Sequence, residues 1–163
     1  MNLTLNAILP KDRMKLGRFY LVASDGTRLI DGRPVLGKSD NLAAIQHGNP
    51  EHDPLKPFGD TPLGLYQCVV IPPSPNWDSY GPNRRILLVP KSGPCVAAEA
   101  PPGNRRGLEW HGGKVNPAFA KIWDSLRPTD GCLRSHDEDM AAIGAFYDQY
   151  QPAEFLANVT EEP

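Results

Sequence analysis

Proline and glycine interrupt this chain so often that long helices have little room in it. Of the 163 residues, 18 are proline and 15 are glycine. Proline inside a helix removes a backbone hydrogen bond and clashes with the preceding turn. Clusters such as Pro72–Asn76 and Pro101–Asn104 separate short apolar runs. This pattern predicts a mainly β fold with short helices, and the length fits a single domain over residues 1–163.

The overall charge gives no indication of a polyanionic partner. The formal net charge is −2, and no basic cluster with interleaved aromatic residues is present, so nucleic acid is not an expected ligand. No apolar run reaches the length of a membrane-spanning helix. The first residues also lack the basic region and the long apolar core of a secretory signal peptide.

Short apolar runs bounded by turn residues predict a set of β-strands. Asp25-Gly26 lies between two such runs, and because both residues tolerate positive φ, the pair predicts a β-hairpin. Residues 37–60 lack apolar periodicity and are predicted to form a long surface loop, as the wall or lid of a cleft. The predicted strands are Leu3–Leu5 at an edge, Phe19–Ala23, Arg28–Ile30, Gly64–Ile71, Arg85–Val89, Cys95–Ala98 and Gly107–His111.

Two helices are predicted beyond these strands. Asn116-Pro117 places an N-cap before a proline at the first helical position and predicts a helix over 118–126. Ser135-His136-Asp137-Glu138 has the form of a capping box, with Ser135 as the N-cap, and predicts a helix that runs to about Tyr150. The tail beyond Pro152 has weak helical character and is expected to be frayed.

A histidine, a cysteine and an arginine occur close together in the chain. Trp110-His111-Gly112-Gly113 precedes Thr129-Asp130-Gly131-Cys132-Leu133-Arg134. A thiol nucleophile needs a base to become a thiolate, and acyl transfer needs donors for the developing oxyanion. Cys132 falls in a turn between the two predicted helices, which favours a nucleophile over a buried apolar cysteine. His111, at the end of a predicted strand, is the expected base, and a core histidine is the alternative.

These segments resemble the catalytic domain of the YkuD family of L,D-transpeptidases. The family pattern is a histidine, a gap of intermediate length, and then Ser/Thr-His-Gly-Cys followed by a hydrophobic residue and Arg or Asn. This chain matches the pattern except at Asp130, which stands where the family has a histidine. A weaker match is Asp60-Thr61-Pro62-Leu63-Gly64-Leu65-Tyr66. The resemblance runs from about Arg18 to Met140, and the motif-bearing part spans about 18–150.

The resemblance implies both a fold and a reaction. The fold would be a β sandwich or barrel-like sheet with the active-site cysteine on a loop between two short helices. Cys132 would attack a carbonyl of a peptidoglycan stem peptide, while His111 takes the thiol proton and later protonates the leaving amine. The resulting thioester would be resolved by an amine, by water or by a free D-amino acid. No cofactor is implied.

The resemblance also assigns roles to the neighbouring residues. The amides of Gly131 and Cys132 are the expected oxyanion donors, and Arg134 is expected to bind a substrate carboxylate or carbonyl. The remaining residues expected at the substrate groove are Thr129, Trp110, Gly112 and Tyr80.

Alternatives remain open for four of these residues. Trp110 suits core packing at least as well, Arg134 suits a surface salt bridge, and Thr129 suits a loop-bracing hydrogen bond. Asp130 either orients His111 or raises the pKa of the nearby thiol.

The other cysteines and histidines carry weaker signals. Cys68 and Cys95 are interpreted either as one disulfide or as two buried thiols. No metal site is expected, because there is no Cys-x-x-Cys pair. His47 and His52 fall in the predicted loop without a supporting ligand pattern, although Glu51 and Asp53 adjoin them.

The implied substrate lies in the periplasm or cell envelope, whereas no signal peptide is recognisable. We therefore expect either export that is independent of a Sec signal or a leader missing from this sequence. Two alternative functions follow. One is a secreted antibacterial effector with the same chemistry, which implies an immunity or secretion partner. The other, motivated by the departure from the family pattern at Asp130, is a catalytically weak module that binds peptidoglycan.

Overall fold

The computed structural model describes all 163 residues, and it consists of one eight-stranded mixed sheet with short helices. The predicted mainly β fold is therefore confirmed. The strands are β1 (Leu3–Leu9), β2 (Gly17–Ala23), β3 (Arg28–Val35), β4 (Gly64–Ile71), β5 (Arg85–Ser92), β6 (Glu109–His111), β7 (Leu133–Arg134) and β8 (Phe155–Glu161). The helices are α1 (Asn41–Gln46), α2 (Trp77–Tyr80), α3 (Pro94–Glu99), α4 (Ala120–Trp123), which follows a 3-10 turn at Pro117–Phe119, and α5 (Asp137–Tyr150).

The sheet is nearly closed into a barrel. Its strands lie in the order β3-β2-β1-β8-β4-β5-β6-β7, with parallel pairing only between β1 and β8 and between β6 and β7. Leu36, directly after β3, exchanges two backbone hydrogen bonds with Arg134 of β7, at 2.9 and 3.0 Å. The two ends of the sheet therefore meet at the strand that follows Cys132.

The core lies against β1 and β8 in the middle of the sheet. In β1, Leu3, Leu5, Ala7 and Leu9 are buried and alternate with half-buried residues, because successive side chains of a strand point to opposite faces. The buried residues of β8 are Phe155, Ala157 and Val159.

This arrangement corrects two predictions about the ends of the chain. Leu3–Leu5 is not an edge strand, because β1 pairs with β2 on one side and with β8 on the other. The tail is neither helical nor frayed. Residues Phe155–Glu161 form a central strand that pairs with β1 and β4, and these partners come from remote parts of the sequence.

Two further predictions in the first two-thirds of the chain are wrong. Cys95–Ala98 belongs to helix α3 instead of a strand, because Gly93 turns the chain with a φ of 91° and Pro94 takes the first helical position. The segment 37–60 is not only a surface loop, since it contains α1 and buries the polar residues Lys38, Ser39, Asn49 and Asp60.

The helices that flank Cys132 also differ from the prediction. The first ends at Trp123, because Asp124 and Ser125 take φ values of 49° and 65°. The second begins at Asp137, with His136 as its N-cap. Ser135 does not cap the helix, since its hydroxyl accepts a hydrogen bond from Nε1 of Trp110 over 2.8 Å.

The remaining elements agree more closely with the sequence. The hairpin at Asp25-Gly26 is confirmed, with Gly26 at a φ of 89°, and β4 has the predicted bounds. Cys68 and Cys95 are buried free thiols, so the alternative of a disulfide is wrong. None of the helices combines the length and the apolar composition needed to cross a bilayer.

Candidate active site

Parallel pairing of β6 with β7 places the two sequence motifs side by side. Trp110 lies opposite Leu133, and His111 lies opposite Arg134. Trp110 and Leu133 are completely buried in the core. Because side chains alternate along a strand, His111 and Arg134 point to the other face, and residues some twenty positions apart meet there.

A cavity of about 290 Å³ opens on this face of the sheet. It is polar, and Asp40 and Arg127 contribute charges to its wall. Six residues named from the sequence line it together: Tyr80, His111, Thr129, Asp130, Cys132 and Arg134.

Cys132 is a free, half-buried thiol. The backbone amide of Glu109 donates a hydrogen bond to its Sγ atom over 3.3 Å. Burial raises the pKa of the Cys132 thiol to about 11. The carboxylates of Glu109 and Asp130 act in the same direction, whereas the Glu109 amide and the positive charge of Arg134 oppose them. The resting group is therefore a neutral thiol near neutral pH.

His111 is 3% exposed, and its Nδ1 lies 2.7 Å from the carbonyl oxygen of Gly112. A carbonyl only accepts hydrogen bonds, so Nδ1 carries the proton and Nε2 is left as the basic nitrogen. Burial lowers the pKa of His111 to about 4, which keeps the imidazole neutral. The ring packs against Tyr80, with centroids 4.7 Å apart.

Arg134 carries a buried positive charge with few partners. It is 5% exposed, and its only side-chain hydrogen bond runs from Nη2 to the carbonyl oxygen of Ser79 over 2.9 Å. Its Nε and Nη1 atoms have no partner, and burial lowers the pKa of Arg134 to about 10. The alternative of a surface salt bridge is therefore wrong. A buried guanidinium with two nitrogens that lack hydrogen-bond partners favours an anion in the cavity.

The turn before Cys132 is held by hydroxyl groups. Thr129 Oγ1 accepts from the Gly131 amide over 3.1 Å and donates to the Cys132 carbonyl over 2.8 Å, which confirms its bracing role. Thr61 Oγ1 donates to the Gly131 carbonyl over 2.8 Å. The Gly131 amide is thus engaged within the turn, in contrast to its expected role as an oxyanion donor. The Cys132 amide makes no hydrogen bond to another protein group.

Asp130 is exposed on the cavity wall and makes no hydrogen bond to His111. The carbonyl of Gly112 orients the imidazole instead. Of the two alternatives for Asp130, the structure therefore favours the electrostatic one, since its carboxylate raises the pKa of Cys132.

Two predicted substrate-binding residues lie outside the cavity. Trp110 is a core residue that packs edge-on against Phe19, with centroids 5.2 Å apart. Gly112 is buried, and a Cβ at this position would overlap the Asp137 carboxylate. Its role is to present a carbonyl to His111.

Sequence reasoning missed Glu109 and its partner Arg85. The Glu109 carboxylate receives two hydrogen bonds from Arg85 Nη1, at 3.0 and 3.1 Å, and the Arg85 guanidinium lies 5.3 Å from the centre of the Tyr80 ring. Glu109 could have been found, because it precedes His111 by two positions in a predicted strand and so shares its face. Arg85 has no comparable signal.

The loop histidines are engaged in local contacts. His52 Nδ1 lies 2.5 Å from Ser39 Oγ, and His47 stacks on Phe58 with centroids 3.6 Å apart. No group of three or more His, Cys, Asp or Glu side chains is arranged to hold a metal ion.

Comparison of the chain with models of protein families and with curated proteins found no match. The assignment of a function therefore depends on the site. A free thiol, a neutral histidine with one basic nitrogen and a buried guanidinium line one cavity. This combination of a nucleophile, a base and a cation suits nucleophilic acyl transfer.

Proposed function

We propose that the protein is a cysteine acyltransferase that acts on peptidoglycan stem peptides in the manner of an L,D-transpeptidase. The observation that carries this proposal is the parallel β6–β7 pairing, which brings His111 and Cys132 to one cavity. The hydrogen bond to the Gly112 carbonyl leaves Nε2 of His111 as the base. The motif of the YkuD family supplies the substrate class.

The first step forms a thioester. Cys132 Sγ bonds to the substrate carbonyl carbon, and its proton passes to Nε2 of His111. The C–N bond then breaks, and the proton passes from His111 to the leaving amine. The Cys132 thiol and the His111 imidazole are both neutral at rest. The proton therefore moves from Sγ to Nε2 during the attack, and no thiolate–imidazolium pair exists beforehand.

The charges of the site suit a substrate with a free carboxylate. Arg134 has two guanidinium nitrogens without partners, and Arg127 adds a second positive charge to the same cavity. A terminal D-residue carries a carboxylate beside the scissile bond, so Arg134 would orient the acyl donor. The amide of Cys132 would donate to the oxyanion.

The second step transfers the acyl group from Cys132 to an acceptor. An amine of a second stem gives a cross-link, water gives a trimmed stem, and a free D-amino acid gives exchange. In each case the acceptor loses a proton to His111, and the thiol is regenerated when that proton returns to Sγ.

A carbapenem tests the proposal, because its strained amide acylates a nucleophilic thiol. Intact-mass spectrometry of the wild-type protein should show one added carbapenem on Cys132. Cys132→Ala should show none, since Cys68 and Cys95 are buried. His111→Gln should react far more slowly. Absence of an adduct, in protein whose Cys132 is still alkylated by iodoacetamide, would favour the binding module over the enzyme.

A further inference from the structure

Arg105 lies behind the catalytic turn and outside the cavity. Its side chain is 5% exposed, and it does not line the cavity that contains Cys132. Its guanidinium instead binds one segment of backbone. Nη1 donates to the carbonyls of Pro54, Lys56 and Asp60 at 2.8, 3.1 and 3.3 Å, and Nη2 donates to the carbonyl of Gly59 at 3.0 Å.

The same guanidinium contacts the turn that holds the thiol. A Cβ at Gly131 would overlap Nη2 of Arg105 and would lie 2.7 Å from the Gly59 oxygen. Gly131 also has a φ of 112°, a conformation that residues other than glycine rarely adopt. The segment clamped by Arg105 continues into Thr61, whose hydroxyl donates to the Gly131 carbonyl over 2.8 Å. Arg105 and Thr61 therefore support the turn from one side.

The charge on Arg105 has no carboxylate partner in direct contact. All four of its acceptors are neutral carbonyl oxygens. The carboxylates of Asp60 and Asp53 favour the charged form of Arg105 without forming a salt bridge to it. A buried cation that lacks a hydrogen-bonded carboxylate favours any further anion that forms nearby. The thiolate of Cys132 is such an anion, and its charge favours the protonated form of Arg105. Because the Coulomb interaction between two groups is mutual, Arg105 favours the thiolate.

We propose that Arg105 is a positioning residue for the Cys132 nucleophile. Its buried guanidinium fixes the 54–60 segment under Gly131 and supplies positive charge behind the thiol. The proposal rests on Cys132 being the nucleophile of the proposed function. It adds a group that the motif does not contain, 27 positions before the cysteine.

The test is the pH profile of Cys132 alkylation by iodoacetamide, with the modified residue located by peptide mapping. Arg105→Met removes the charge, and we expect alkylation at pH 7 to slow by about tenfold with the midpoint of the profile moved to higher pH. Arg105→Lys keeps a charge that cannot reach all four carbonyls, so its midpoint should lie between those of wild type and Arg105→Met. Arg106→Met is the matched control, since Arg106 is exposed and does not line the cavity that contains Cys132, and its profile should equal that of wild type.

A purely structural role would lower the melting temperature of the Arg105 variants and leave the midpoint of the folded protein unchanged. That result overturns the proposal. If Arg105→Met does not fold, as judged by circular dichroism, the Arg105→Lys variant is used instead. A midpoint above that of wild type then supports the proposal, and an unchanged midpoint overturns it. Because alkylation needs no peptide substrate, the Arg105 variants can show an unchanged midpoint while the wild-type protein still forms the carbapenem adduct. The two proposals can therefore be rejected independently of each other.

Discussion

The backbone amide of Glu109 donates a hydrogen bond to Sγ of Cys132 over 3.3 Å. This bond follows from the parallel pairing of β6 with β7, so the sheet itself positions the thiol. The side chain of the same residue acts in the opposite electrostatic direction, because its carboxylate raises the pKa of Cys132. Arg85 offsets part of this effect by its two hydrogen bonds to that carboxylate.

Substitution Glu109→Gln separates the two effects. The backbone bond remains, while the carboxylate is removed and Arg85 becomes an unpaired cation. Both changes lower the pKa of Cys132, so alkylation by iodoacetamide at pH 7 should accelerate several-fold. Glu51→Gln is the control, because Glu51 is exposed and does not line the cavity that contains Cys132. A slower or unchanged rate in Glu109→Gln would contradict this account of the thiol.

Asp130 should also lower the reactivity of the Cys132 thiol, and solvent and salt should screen this effect. Its carboxylate raises the pKa of Cys132 and lies exposed on the cavity wall. Asp130→Asn should therefore speed alkylation at pH 7 at low ionic strength. The advantage should shrink at 1 M salt, where the Debye length falls to about 3 Å. If the variant reacts more slowly, or if salt does not alter the difference, Asp130 has another role.

The buried neutral His111 makes folding stability depend on pH. Its pKa is about 4 in the folded protein against 6.5 for the free group, so the unfolded chain binds more protons between these values. Stability from this residue is complete above pH 6.5 and is lost as pH falls towards 4. The loss is about 3 kcal/mol.

Urea unfolding at pH 7 and pH 4.5 measures this effect. His111→Gln should lose less stability between the two pH values than wild type. His47→Gln, which changes an exposed histidine, should follow wild type. Equal losses in all three proteins would show that His111 is not buried as a neutral imidazole.

The last strand should be as important for stability as the first. Phe155 is 3% exposed and packs on Tyr147, with ring centroids 5.6 Å apart. Phe155→Ala should lower the free energy of unfolding by about 3–5 kcal/mol. Thr160→Ala, at an exposed position of the same strand, should have little effect. A frayed tail would instead make both substitutions nearly neutral.

Local signals explain most of what could be predicted from the sequence. Asp25-Gly26 fixes a hairpin through its own turn chemistry, and the apolar run over Gly64–Ile71 has turn residues on both sides. His111 and Cys132 were found because a short motif holds them. Their meeting in space depends on pairing of β6 with β7, which no local pattern reveals.

The missed features depend on remote partners. Residues Phe155–Glu161 become a strand because β1 and β4 lie on either side of them. For Trp110 the sequence left core packing and the groove open, and the remote partners Ser135, which accepts its indole N–H, and Phe19, which packs on its ring, decide for the core. Arg105 has no sequence signature at all, since its acceptors are backbone carbonyls of a loop about fifty positions away.

Incubation with purified stem tetrapeptides, followed by mass spectrometry of peptide and protein, tests the central claim most directly. The wild-type protein should form a thioester on Cys132 and convert the tetrapeptide. The product should be a cross-linked dimer, a tripeptide that has lost its terminal D-residue, or a peptide with an exchanged D-amino acid, while Cys132→Ala leaves the peptide unchanged. An intact tetrapeptide and an unmodified Cys132, in folded protein whose thiol still reacts with iodoacetamide, would contradict the account.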